Sequence, residues 1–408
     1  MLNDKLPFVD KSLIEIPENA FARGKGREFG RWIDNVRGGA RSNGYNEGDL
    51  IENPIYVIES LLRDEMFVKR DLRILSSADT THFVCTDVDL GEDDDYNNAE
   101  FYNATTLVKR YITDYVGATN TFTISSADAA MVAGNNFYLT NIGADYFIDE
   151  TTFDAIGNTT NGKRNGWKVA RSINTKQNIQ NLISELLFES HCVLFDSTDE
   201  SGAYSKIKVK ALDKMVSAPI ITNLIQPLIS DGIPQASIDF SDLGQIFTSF
   251  KLFYHIDPAK GDYLKSISVD ENGYSNPSGG TTLTNEHKNL CGYAEKLYKI
   301  NNPFVYSSNW IYDDATAEYF LDKKIRWFTE QRLRLHYASA ISYGVIDFIT
   351  LEIGDQVMFT SATDILPDRY SYQGTVQSSH KFMVYGKTIV TNPQGVPYIL
   401  WDFIDMGI

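Results

Sequence analysis

The chain has 408 residues, 43% of them hydrophobic, and a formal net charge of -17. That is enough apolar material for a buried core and two or three domains, and the well-mixed 22% of charged residues excludes a disordered polymer. Grip on nucleic acid comes from Lys and Arg releasing counterions from phosphates. A chain this acidic would repel DNA over most of its surface, which argues against a nucleic-acid binder, though not against a surface past which DNA slides without sticking.

Three cysteines, Cys85, Cys192 and Cys291, are odd in number, far apart and in no CxxC or metal spacing. They are expected to be free buried thiols in a protein folded in a reducing cytoplasm. Met1 to Val9 carries charges and Pro7 in place of an apolar signal core, and no run reaches the roughly 18 apolar residues of a membrane span, so a soluble chain is expected. The 23 Tyr and 23 Phe fit a β-rich fold, since their rings bury large areas on pleated surfaces.

Residues 1–50 read as an irregular N-terminal arm. Arg23-Gly24-Lys25-Gly26-Arg27 and Arg37-Gly38-Gly39-Ala40-Arg41 make it basic and glycine-rich, suited to docking on an acidic neighbour such as another copy of this chain, or to a solvated loop. A helix follows. Asn53 suits the N-cap and Pro54 the first helical position, while Ile55, Ile58, Leu61, Leu62 and Met66 recur on one face with Glu59, Arg63 and Asp64 opposite. Residues 74–166 then read as a small inserted β module, with strands at Thr121–Ile124, Asn136–Leu139 and Tyr146–Ile148. Thr175 is placed to cap a helix with the face Ile179, Leu182, Ile183, Leu186 and Leu187. The strand Cys192–Phe195 follows, then a polar turn at 197–202, then Ile207, Val209 and Ala211 alternating with Lys206, Lys208 and Lys210.

Phe250 to Ile256 and Tyr263 to Ile267 read as a strand pair, and residues 270–288 as a long polar loop. A third helix is expected over 313–335, with Asp313 and Asp314 at its positive end and Arg332 and Arg334 at its negative end. Strands are expected at Ile349–Ile353, at Gln356–Thr360 beyond Gly354-Asp355, and over the last 30 residues.

The residues offer little catalytic chemistry. His82, His191, His255, His287, His336 and His380 are scattered, and neither HExxH, GxSxG, a P-loop nor GxGxxG occurs. Hard cations want clustered carboxylates, so Asp87, Asp89 and Asp93 are the candidates for metal ligation. The EF-hand pattern fails there, because Gly91 comes one position early and the closing Glu is missing; a solvated acidic loop tip is the competing reading. No catalytic residue and no cofactor is predicted.

Asn53-Pro54-Ile55 through Leu61-Leu62 resembles the opening helix of tail-tip and baseplate hub proteins of tailed bacteriophages, the family of the lambda-like tail-tip protein and the contractile-tail hub. The segment from Asn178 to Asp213 is similar to their next hallmark, Ser241 to Tyr263 to the strand pair after it, and Leu351 to Val357 to their "apolar…GD.V" ending. The resemblance covers most of residues 50–405 outside the insertion.

It implies an α+β, β-rich fold of tandem β-barrel-like hub domains with covering helices. The partition is an arm at 1–50, a first hub domain at 51–73 and 167–245, the inserted domain at 74–166, and a second hub domain at 246–408 with the long helix 313–335. Asn53, Pro54, Ile55, Ile58, Leu61, Leu62, Gly354 and Asp355 are then structural or interface residues, and the opening helix should pack on the interrupted domain. The resemblance further implies a homotrimer at the virion tail tip, assembled in the host cytoplasm. Its partners would be a distal tail or tail-tube protein, a tail fibre or receptor-binding protein, the C-terminus of the tape-measure protein, and DNA that passes an acidic channel without specific binding. The competing classes are a virion-borne glycan hydrolase and a carbohydrate-binding module.

Overall fold

The computed structural model describes residues 51–63, 69–77, 79–86, 88, 92–142, 147–173, 177–198, 205–214, 236–257, 260–340, 351–359, 381–391, 395 and 397–406, with the short strands 21–22, 27–29 and 220–221. Over these residues the fold is α+β and rich in strands. The chain forms two units: Ser12–Leu187 with Asp196–Val209, and Met1–Lys11 with Phe188–Phe195 and Lys210–Ile408.

The first unit is dominated by seven antiparallel strands in the spatial order 69–73, 136–140, 100–103, 108–116, 121–124, 82–84 and 76–77. The two outermost strands are consecutive in the chain. Only Ile74 and Leu75 separate them, and both bond into the sheet: Ile74 N–H donates to Asn135 O at 3.0 Å, and Leu75 N–H to Val84 O at 2.8 Å. One bent strand thus serves both edges, and the sheet closes into a barrel that leaves few backbone groups unpaired. The interior confirms closure. Phe83 lies 5.0 Å from Phe101, Phe122 and Phe137, and two of these rings stand on strands that do not neighbour its own. Tyr96, Tyr115, Leu72, Ile112 and Leu139 complete the filling.

Outside the barrel lie α1 (Pro54–Leu61), α2 (Glu150–Gly157) and α3 (Ile179–Ser190). Asn53 caps α1 by accepting from Ile55 N–H. This helix is buried all round. Glu59 and Arg63, expected on a solvated side, are each 3% exposed and paired with each other at 2.8 Å. α1 packs on α2, and Val169 N–H donates to Glu52 O at 2.8 Å. The described partners of α1 thus lie mostly in 141–164, with Val169 beyond. Met66 lies outside the described residues. α3 buries the five apolar residues predicted for its face.

The second unit holds a six-stranded sheet in the order 220–221, 356–359, 382–391, 397–405, 333–340 and 236–240, with Leu333, Leu335, Val357, Phe382, Val384, Ile399, Trp401 and Phe403 as its core. It also holds a three-stranded sheet, 263–269, 249–256 and 303–307, whose central strand pairs antiparallel with the first and parallel with the last. Helices α4 (Asn285–Tyr298) and α5 (Asp314–Phe328) cover this sheet, α4 against 263–269 and α5 against 249–256.

Several local expectations are corrected. The helix expected over 313–335 ends at Phe328. Thr329 Oγ1 bonds Ile325 O at 2.8 Å, and the Arg332 guanidinium donates to Arg326 O and Trp327 O, which satisfies the orphan carbonyls of the last turn. Residues 333–340 are then a strand, in which Leu333 and Leu335 point inward with a period of two. The polar loop expected over 270–288 gives way to α4 at Asn285, because Thr284 and His287 form a capping box. Of the run Tyr146–Ile148, Ile148 makes only an isolated bridge to Ile207, and Tyr146 lies outside the described residues. Leu351–Ile353 is not a strand but leads into a turn.

Phe83→Ala removes the ring that three others touch, so it is expected to destabilise the barrel by about 3–5 kcal/mol. Chemical denaturation followed by circular dichroism should show the corresponding fall in midpoint. An unchanged midpoint would contradict a ring-filled interior.

Candidate functional site

The residues singled out in the sequence fall in separate places. Ile55, Ile58, Leu61 and Leu62 are fully buried, and Pro54 opens the helix. Asn53, 2% exposed, does two jobs: its Oδ1 caps α1 and its Nδ2 donates to Arg164 O at 2.8 Å. Arg63 then pins the far end of α1, donating to Glu59, to Asn141 Oδ1 at 2.8 Å and to Glu150 at 2.5 Å. That group ties the helix to the exit of the last barrel strand.

Gly354 and Asp355 form a tight turn in the second unit. Gly354 has φ +82, a region that L side chains rarely enter, and a Cβ there would stand 2.7 Å from Lys210 Cδ. Gly354 N–H donates to Val384 O, and Val384 N–H donates back to Asp355 O. The Asp355 carboxylate accepts from Glu352 N–H and from Lys210 Nζ, at 2.7 and 2.8 Å. Both residues therefore shape the turn into the strand Gln356–Phe359.

Asp87 and Asp89 lie outside the described residues. Asp93 accepts from Gly117 N–H at 2.8 Å, while Asp94 and Asp95 bond Asn97 and Glu92 N–H within their own turn. Among the described residues no three His, Cys, Asp or Glu side chains gather as a metal site.

The described histidines are not brought together, and His380 lies outside the described residues. His82, His287 and His336 each pair with a different aspartate: Asp79, Asp322 and Asp402. Thr284, His287 and Asp322 have the connectivity of a hydroxyl–imidazole–carboxylate relay. Thr284's own backbone N–H donates to His287 Nδ1 at 3.1 Å, and His287 Nε2 donates to Asp322 at 2.7 Å. The ring nitrogen that would serve as base is thus occupied by the cap, and His287 is 1% exposed. The trio clasps α4 to α5. Burial alone would raise the Asp322 pKa, but the His287 bond and the charges of Lys323 and Arg326 hold it down to about 2.

Two surface features were not legible in the chain. In the first unit the hairpin tip 104–107 and the loop 125–135 meet at one end of the barrel. Buried Asn103 and Asp128 fasten them: Asn103 Nδ2 donates to Asp128 at 3.0 Å and to Asn135 at 3.2 Å, and Thr106 Oγ1 to Asp128 at 2.8 Å. Leu107, at φ 61 and 72% exposed, and Val132, 57% exposed, project from this support beside exposed Ala129, Ala130 and Ala133. Asp128 is the only charged residue in 125–136, and it is buried. In the second unit an open cleft of about 200 Å3 lies at the last turns of α5, with Lys214, Lys323, Arg326, Arg332 and Trp327 in its wall. Of these only Arg332, as a cation near a helix end, left a trace in the linear pattern.

No protein-family model matches the chain. No curated protein matches it either. Solved structures similar to it include a tail protein from Neisseria meningitidis MC58, 11% identical over 56% of this chain and 55% of that one, with a TM-score of 0.31. This chain thus spans about half the length of that protein. They also include prophage tail protein gp18 from Listeria monocytogenes EGD-e, 14% identical over 77% and 90% of the two chains, with a TM-score of 0.31. A third is the 43 kDa tail protein of prophage MuSo2 from Shewanella oneidensis, 12% identical over 83% and 94%, with a TM-score of 0.30. Likeness at this level assigns neither family nor activity.

Two substitutions test the polar anchors. Asn53→Asp keeps the cap acceptor but turns a carboxylate toward Arg164 O, so it should cost about 1–3 kcal/mol although Asn and Asp cap equally well in general; equal denaturation midpoints would refute the second role. The depressed pKa of Asp322 contributes stability that is present above the unfolded value of 3.8 and lost as pH falls toward 2. Asp322→Asn should lose about 2 kcal/mol at neutral pH and show a flatter decline in urea midpoint between about pH 4 and 2 than the parent.

Proposed function

We propose that this chain is a non-enzymatic structural component of a phage virion, a tail-tip or baseplate hub that assembles as a homotrimer and attaches receptor-binding or fibre proteins. The observation that carries this reading is the closed barrel of the first unit. Its interior is filled by aromatic rings, and one end exposes Leu107 and Val132 on loops fastened from below by buried Asn103 and Asp128, with the Arg110 guanidinium bonded to Ser126 O and Ala127 O at the loop's edge. Such a module is built to be docked against rather than to enclose a ligand. The ordered sequence elements from Asn53-Pro54 to Gly354-Asp355 support the same reading.

In this arrangement the barrel faces outward as an attachment module. Tandem hub domains in three copies give a pseudo-six-fold ring that matches and closes a hexameric tail tube. Partners are the distal tail or tube protein, the tape-measure C-terminus and a fibre protein. An acidic channel wall, consistent with a net charge of -17, lets DNA pass without adhesion.

Light scattering on the purified chain should give three times its 46.0 kDa mass, and labelled antibody should mark the tail tip of intact particles. A strict monomer with affinity for sugar would sink the hub reading in favour of a carbohydrate-binding module. Cell-wall clearing in a zymogram, lost in a carboxylate variant, would sink it in favour of a hydrolase.

A further inference from the structure

Glu318, in the second turn of α5, is fully buried. Its Oε1 is satisfied: Ser278 N–H and Ser278 Oγ donate to it at 2.9 and 2.8 Å. Its Oε2 has no hydrogen-bond partner, and no ion pair offsets the carboxylate among the described residues. A buried carboxylate oxygen left open is costly, which points to an occupant that meets it.

The open oxygen faces the loop 276–283. A Cβ built on Gly280 would stand 3.7 Å from Glu318 Oε2 and 3.1 Å from Ser278 Oγ, with no other heavy atom beyond its chain neighbours within 4 Å. Two oxygens therefore border a niche beside the Gly280 backbone. The loop around it is fixed. Asn276 Nδ2 donates to Leu283 O at 2.7 Å, Leu283 N–H donates back to Asn276 Oδ1 at 2.9 Å, and Gly279 N–H donates to Asn276 O at 3.0 Å. Gly280 N–H is spent on Ser278 Oγ at 3.1 Å. The carbonyls of 277–282 accept no hydrogen bond from the described residues, so the loop has oxygen to offer.

The field here is negative. Asp313 caps α5 by accepting from Thr316 N–H at 3.0 Å, and Asp314 accepts from Tyr254 OH at 2.8 Å and Lys265 Nζ at 2.7 Å. Both carboxylates are engaged, so they supply charge and not ligands. Burial first, then the Asp314 bond and the Asp314, Glu318 and Asp313 charges, raise the Tyr254 pKa, so the three acids act on one phenol. The opposing charges, Lys265 and a protonated His255, act on Asp314.

These terms select a hard cation. No three ionisable ligands gather among the described residues, which disfavours the soft transition metals. Mg2+ demands near-octahedral geometry and keeps its waters, whereas Ca2+ accepts irregular sets of carboxylate, hydroxyl, carbonyl and water oxygens at about 2.3–2.6 Å. An ion at that distance fits where a methyl carbon would crowd Ser278 Oγ. A water would satisfy the lone pair and leave the charge.

We propose that Glu318 Oε2, with Ser278 Oγ and carbonyls of the loop 277–282, binds one calcium ion that ties this loop to α5. With a single carboxylate ligand the dissociation constant falls at about 0.1–1 mM. The site goes beyond the hub reading and does not depend on it.

The test is tyrosine-sensitised terbium luminescence of the full chain after treatment with chelator, with Ca2+ as competitor. Calcium should displace terbium with a submillimolar to millimolar midpoint, and Mg2+ at equal concentration should compete at least about tenfold less well. Glu318→Gln keeps an Oε1 acceptor for Ser278 and should weaken calcium about tenfold or more. Gly280→Ala fills the niche without touching the carboxylate and should do the same. Asp93→Asn, in the acidic turn of the first unit, should leave the calcium midpoint unchanged. If Glu318→Gln fails to fold, Gly280→Ala decides. Undiminished calcium binding in a folded Glu318→Gln or Gly280→Ala chain, loss of the signal in Asp93→Asn, or no saturable competition by calcium would each overturn the proposal.

Discussion

A lysine ammonium taken wholly out of water costs several kcal/mol unless the fold supplies partners, and Lys324 is fully buried. Its Nζ donates to Phe188 O at 2.6 Å and lies 3.8 Å from the Phe188 ring centroid and 5.2 Å from that of Phe320. Meeting that demand fixes the rotation and depth of α5 in the second unit. With the helix so placed, Phe320 and Phe328 lie against Tyr306 and Phe304, and Tyr306 OH reaches buried Glu189 at 2.9 Å. Asp322 is then in position to clasp α4 through His287, and the α5 C-terminus ends where Arg332 can cover its carbonyls. The cleft is what remains beside that terminus, so its cations are placed by the same helix that Lys324 anchors.

The barrel meets an equivalent constraint with backbone groups. An open seven-stranded sheet would present two unpaired edges, and the bend at Ile74–Leu75 removes both with one strand. Closure forces the interior to be filled by side chains from every strand, which is why Phe83, Phe101, Phe122 and Phe137 converge. It also leaves the loops at the barrel end without sheet partners. Asn103 and Asp128 take that role from inside, satisfying the loop amides at Thr105, Thr106 and Ala130. Because the polar work is done below the surface, the surface itself can be apolar and still rigid. Leu107 is held in a left-handed conformation that costs a non-glycine residue about 1 kcal/mol or more, and Leu107 N–H nonetheless bonds Asn103 O at 2.8 Å. Rigid exposed hydrocarbon of this kind loses little entropy when a partner covers it.

Elements whose stabilising signal is local were legible in the sequence. The start of α1 was visible because Asn53-Pro54 is a backbone-level instruction, and the strand Ser205–Ala211 because its lysines and aliphatics alternate strictly. α4 was not visible because it buries small and polar residues, His287, Cys291, Gly292 and Ala294, which give no apolar stripe. α2 is only two turns long and carries Thr151 and Thr152 in its first turn, whose β-branched side chains weigh against helix. The end of α5 was misplaced because Leu335 falls seven residues after Phe328, two helical turns on the same face, while Leu333 and Leu335 also fit a period of two. The Thr329 cap and the long-range pairing of 333–340 with 397–405 decide it. The same limit applies to the surfaces. Lys214, Glu286, Arg326 and Met406 share the cleft only through tertiary structure, and no spacing rule links them.

Electrostatics then bear on how such a chain can assemble. Among the described residues five cations, Arg63, Arg164, Lys324, Arg332 and Lys381, are buried, against six carboxylates, Glu59, Glu100, Asp128, Glu189, Glu318 and Asp405. The interior is thus close to neutral, and the charge of -17 belongs almost entirely to the remainder of the chain. Two copies repel one another wherever acidic surfaces face, by an amount that grows as salt falls. Contact between copies, or with any acidic partner, is cheapest where that field is interrupted. The described surface interrupts it at the barrel end, where Leu107, Val132 and three alanines are exposed and the loop 125–135 carries no exposed carboxylate. That end suits broad apolar packing. Association through the barrel end should therefore hold or strengthen with added salt, as mutual repulsion is screened.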